Sequence, residues 1–203
     1  MNAADLLALS PIIMLAATAV CVMLLAAFYR RHAVLALATQ TGLVLSFAAL
    51  GPAAARAPRV VTPLLVVDRY ALYFAGLIII TTIAVAALAY DYLGRRTRRP
   101  EEFYVLLVTA SLGAVVLAAS RHFASFFLGL ELLSIPLLAM MAYPKGRWRP
   151  LEAGTKYLIL AGVSSAFLVF GMATVYFGLG TLSFTRIASS LSRGTSAGPY
   201  VSA

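Results

Sequence analysis

Six apolar stretches of about 20 residues recur along the chain, at about 6–28, 33–51, 70–92, 103–119, 122–142 and 154–178. No other feature restricts the fold as strongly. At about 1.5 Å of rise per residue, an α-helix of that length crosses the roughly 30 Å of hydrocarbon in a bilayer. Within hydrocarbon every backbone N–H and C=O must find its partner inside the protein, so spans of this kind are helical. The expected fold class is all-α, a polytopic transmembrane helix bundle with about six spans. The composition agrees: 62% of the 203 residues are hydrophobic and 11% are charged, less than half of the roughly 25% usual in a soluble domain. The first stretch is too long for a signal-peptide core and has no basic residues before it, so it is expected to be a retained helix.

The net charge is +9. In a soluble chain that would raise the question of nucleic acid, but the basic residues sit in short connections between apolar runs, so no nucleic-acid partner is expected. Arg30 and Arg31, then Arg95, Arg96, Arg98 and Arg99, then Lys145, Arg147 and Arg149 fall in alternate connections. The positive-inside rule assigns these to the cytoplasm and the N-terminus to the outside. The partner solvent is the lipid bilayer and the expected location is a cell membrane, multi-pass. The connection 51–69, GPAAARAPRVVTPLLVVDR, carries Pro52, Pro58 and Pro63, which argue against a continuous helix. Its VTPLLVV segment is expected to be extended or to lie along the interface. Residues 1–180 read as the membrane region, and 181–203, rich in Ser, Gly and Thr, as an unfolded polar tail. Cys21 is the single cysteine, and His32 and His122 lie at different helix ends. A metal or haem site built by this chain is therefore not expected.

Two residues stand out chemically. Glu131 interrupts FFLGLELLSIPLLAMM near mid-membrane. A charge at that depth costs at least about 2.5–3.5 kcal/mol, more than the roughly 0.6–2 kcal/mol that an interhelical hydrogen bond returns. A group kept at such cost suits proton transfer. Ser134, one turn on, is placed to bond it, and Pro136 frees the carbonyl of Leu132. Lys156, in RPLEAGTKYLIL, is one of two lysines against fourteen arginines. Lysine can lose its proton when buried and arginine effectively cannot. Glu152 precedes Lys156 by four residues, so a plain surface ion pair explains the spacing equally well. Asp68 reads as a helix cap, Glu101 and Glu102 as helix-end charges, and Gly162, Ser165, Ala166 and Gly171 as small residues for close helix packing.

The runs HFASFFLGLELLSIPL and RPLEAGTKYLILAGVSSAFLVFGMATVYFGLGTL resemble subunit N of bacterial NADH:quinone oxidoreductase, respiratory complex I. VVDRYALYFAGLIIITT and PEEFYVLLVTASLGAVVLAAS fit the same family of antiporter-like membrane subunits. The resemblance covers nearly all of 60–185 and is most specific over 121–184. It implies the N-terminal portion of a fourteen-helix fold with two inverted repeats, and makes 181–203 a truncated loop before the next helix. It implies a non-redox, proton-translocating subunit of a bacterial inner-membrane enzyme, with the chain alone not expected to be active. It also implies Glu131 and Lys156 as the family's fifth- and sixth-helix protonatable residues. Cofactors are expected elsewhere: NADH, FMN, iron–sulfur clusters and quinone on or between other subunits, with other membrane subunits of complex I as partners. The related cation/proton antiporter subunits share the glutamate motif, and a membrane scaffold is the non-catalytic alternative.

Overall fold

The computed structural model describes residues 3–29, 31–96, 100–143 and 148–192. Arg30, Arg98, Arg99, Lys145 and Arg147, which entered the charge argument, lie outside the described residues, as does the tail from 193 on. The elements are α1 (Ala3–Ala8), α2 (Ser10–Phe28), α3 (His32–Ala48), α4 (Leu50–Ala54), β1 (Arg59–Val60), β2 (Val66–Val67), α5 (Arg69–Arg96), α6 (Glu101–Ala118), α7 (Phe123–Met141), α8 (Trp148–Leu179) and α9 (Phe184–Ser192). Six of the helical stretches are long and apolar enough to cross a membrane, with α3 and α4 together forming one.

Local chemistry accounts for the helix starts. Asp68 Oδ1 accepts from the Ala71 amide at 2.7 Å and caps α5. Glu101 and Glu102 occupy the first turn of α6, where their charge complements the helix dipole. His122 Nδ1 accepts from the Ala124 amide at 3.1 Å and caps α7.

Helix α6 is the hub. Buried residues make up 44% of its span and 6% of that of α8. Tyr104 and Val108 of α6 pack with Leu15 and Val22 of α2, Leu35 and Leu43 of α3, and Ile79 and Ala86 of α5. The α6–α7 contact is the most extensive among the described helices. A Cβ on Gly113 would stand 2.4 Å from the Leu133 nitrogen, and one on Gly129 would stand 2.8 Å from the Leu117 nitrogen. Helix α8 leans mainly on α7. Its outward side carries Leu160, Phe167, Phe170 and Phe177, each more than 60% exposed. An apolar face of that size is stable only against lipid or further protein.

The connection 51–69 is not a continuous helix, as expected: α4 passes Pro52, which sits early in it where proline is tolerated, and ends at Ala54. After it, Arg59–Val60 pairs antiparallel with Val66–Val67, so the VTPLLVV segment is extended at its end. One sequence expectation changes: the tail after 180 is not uniformly unfolded. Phe184, Ile187, Ala188 and Leu191 recur at i, i+3, i+4 and i+7 and give α9 one apolar face. Phe184 sets its ring edge-on to Phe123, centroids 4.8 Å apart.

Backbone bonds stitch one end of the bundle together. Val66 N donates to Ala119 O, Arg121 N to Leu64 O, Phe123 N to Leu182 O and Phe184 N to Arg121 O, all at 2.9–3.1 Å. Ser125 Oγ adds a bond to Leu64 O at 2.7 Å. The connections before α5, between α6 and α7, and after α8 therefore share one end, as alternating spans require.

Candidate functional site in the membrane helices

Glu131 lies eight residues from the start of α7 and ten from its end, about 12 and 15 Å along the axis. Its side of α7 is half-buried. Pro136 is buried inside the same helix and cannot donate to the carbonyl of Leu132. On the α6 side, Gly113 lets the backbone approach Leu132 and Leu133 directly. On the α8 side, Ser165 Oγ donates to Glu131 Oε1 at 2.5 Å. The carboxyl is thus tied to a hydroxyl from the next membrane helix, on a helix whose backbone makes the close crossing with α6.

The sequence reads Ser165 as a packing residue and Ser134 as able to bond the carboxyl or hold a water. The structure reverses the two. Ser134 Oγ reaches the backbone carbonyl of Glu131 at 3.4 Å, because a serine in a helix readily bonds its own preceding turn. Gly162 and Gly171 have nothing within 4 Å of a built Cβ, so they make no close helix contact among the described residues. The glycine of α8 that does so is Gly154, against Ala142. Only a narrow stripe of α8, through Gly154 and Ser165, faces α7.

Lys156 Nζ bonds Glu152 Oε1 at 2.5 Å, and the two side chains are 75% and 42% exposed. Nine residues separate Lys156 from Ser165 on α8, about 13.5 Å of rise. The structure therefore does not bring Lys156 to Glu131.

A second polar cluster lies toward the same end of the bundle as Lys156, away from the stitched connections. His32 Nε2 is 3.0 Å from Tyr104 Oη, and its ring stacks on Tyr90 with centroids 4.5 Å apart. Glu101, 7% exposed, is one turn from Tyr104 on α6. Outside the spans, burial pushes the Tyr143 phenol up to about 12, helped by the carboxylates of Glu102 and Glu101. Among the described residues no group of three His, Cys, Asp or Glu side chains could hold a metal ion.

Comparison with known proteins fits this arrangement. Residues 120–199 match the family described as NADH:quinone oxidoreductase/Mrp antiporter, TM. The chain superposes on a chain of respiratory complex I from Thermus thermophilus with bound aureothin, with a TM-score of 0.73 and 30% identity over 85% of this chain and 38% of that one. A chain of the membrane-bound sulfane sulfur reductase, an archaeal respiratory membrane complex, shares the fold at a TM-score of 0.74 and 21% identity, over 91% of this chain and 40% of that one. Fold and sequence agree on the class, an antiporter-like membrane subunit. Within that class the chain is homologous to NADH-quinone oxidoreductase subunit N. It is 56% identical to that subunit of Nitrosospira multiformis over 92% of this chain, and 47% identical to that of Methylococcus capsulatus over 91%. The chain spans 37% of the length of these curated relatives.

Proposed function

We propose that the chain contributes to proton translocation in the membrane arm of an NADH:quinone oxidoreductase, with Glu131 as a proton-carrying group. The observation that carries this is a carboxyl at mid-span, bonded across a helix interface by Ser165, on a helix whose own hydrogen-bond ladder Pro136 interrupts. Such a group responds to small changes in its partners, because in a medium of low dielectric each hydrogen bond to a carboxyl weighs more than in water. Lys156 would take or release a proton when its pair with Glu152 opens. Its distance from Glu131 requires water between them.

Redox chemistry, with NADH, FMN, iron–sulfur clusters and quinone, would lie on or between partner subunits, and this chain would couple to it mechanically or electrostatically. The basic connections would face the cytoplasm, with the N-terminus outside. In the assembled enzyme, Glu131→Gln is expected to lower proton pumping far more than it lowers assembly. Wild-type pumping in a correctly assembled Gln variant would refute the proposal.

A second reading, a subunit of a multisubunit cation/proton antiporter, is favoured by one observation: the matched family covers both kinds of protein. Identifying the co-purifying subunits separates the two. Dehydrogenase and quinone-site subunits support the first, and their absence from an active cation exchanger supports the second.

A further inference from the structure

Helix α8 carries four hydroxyl residues with resolved bonds in its long run. Thr155 donates to Leu151 O, Ser164 to Leu160 O and Thr174 to Phe170 O, each to the carbonyl four residues back on its own helix. This is what a hydroxyl does in hydrocarbon when nothing better is in reach. Ser165 alone among them turns away from its own helix and donates to Glu131 Oε1 on α7. A hydroxyl has one proton to donate. Directing it to a carboxyl oxygen leaves the carbonyl four residues back without it, so its one proton is committed to the contact between helices.

We propose that Ser165 is a positioning residue for Glu131. It fixes the direction of the carboxyl toward α8 and ties the proton-carrying group to the placement of that helix. The role in proton transfer rests on the reading of Glu131 given above. Ser165 exchanges no proton with substrate or cofactor; it acts through Glu131. Three features support the assignment. The bond spans two helices rather than one turn. Gly154, on the same stripe of α8, brings the helix close to α7 at Ala142. Both side chains are half-buried at that interface.

The test is infrared difference spectroscopy on the assembled membrane complex, with Glu131→Gln used to identify the carboxyl stretching band of Glu131. Ser165→Ala is expected to shift that band. Ser165→Thr, which restores a hydroxyl at the same position, is expected to return it. Ser164→Ala, which removes a neighbouring hydroxyl bonded only to its own helix, is expected to leave it in place. The proton-transfer rate should fall about threefold to tenfold in Ser165→Ala, the size of one lost hydrogen bond, and recover in Ser165→Thr. A band unmoved by Ser165→Ala, or moved equally by Ser164→Ala, overturns the proposal. A band that shifts in Ser165→Ala while pumping is normal even in Glu131→Gln upholds the contact and removes the proton-carrier reading instead.

Discussion

At the scale of single residues, the molecule distinguishes groups that are merely buried from groups held by specific partners. Tyr143, just beyond α7, is of the first kind. Its phenol is raised to about 12 by burial and nearby carboxylates, against about 10 in an unfolded chain. The neutral form is the one the fold favours. Its contribution is fully present below about pH 10 and is lost as pH rises from there through about 12. Thermal unfolding in detergent should therefore show a shallower alkaline loss of stability for Tyr143→Phe than for the wild type; equal slopes would contradict this. Glu131 is of the second kind, and it stands out from sequence alone, since a lone carboxylate in an apolar run has no cheap explanation. Ser165 was not legible. A hydroxyl among Gly162, Ala166 and Gly171 reads as a spacer, and only the stripe of α8 that meets α7 decides which small residue touches something. Lys156 was legible as an ion pair by its spacing from Glu152, and the structure keeps it there.

At the scale of elements, the α6–α7 pair depends on two glycines. Gly113→Ala places a methyl group against the Leu133 backbone, which a side-chain rotation cannot relieve. The helices must separate, at a cost of about 1–3 kcal/mol. Gly162→Ala meets nothing within 4 Å and should be neutral or slightly stabilising, because alanine is the better helix former by about 1 kcal/mol. Thermal aggregation of the two variants in the same detergent checks the contrast, and similar midpoints would refute it. The spans themselves were readable because length and apolarity leave hydrocarbon few other solutions. The α6–α7 crossing was not, because nothing local distinguishes Gly113 and Gly129 from other membrane glycines until the two helices are set side by side. Helix α9 was missed for another reason. Its polar content masked four apolar residues at helical spacing, and a count of residue types hides an order that periodicity shows. Replacing Leu191 and Ile187 with Ser removes that face, so a fluorophore placed on α9 should lose its quenching by lipid-borne quenchers.

At the scale of the whole molecule, alternation of the spans fixes which connections share an end, and the proposed orientation, with the basic connections toward the cytoplasm, has a direct test. In a Cys21→Ser background, a cysteine at Ala55 should react with an impermeant maleimide added outside intact cells. One at Arg95 should react only after the membrane is opened; the reverse pattern would invert the topology. The backbone stitching between 64–66, 119–123 and 182–184 has a further consequence. It pins the far end of α8 to the near end of α7 and makes that end a fulcrum. Ser165 lies fourteen residues from Leu179, about 21 Å along the lever. A tilt of about 3° carries its hydroxyl roughly 1 Å, enough to take a hydrogen bond outside its working range. A push on α8 too small to disturb the bundle would then be felt at Glu131 as the arrival or departure of a single proton donor.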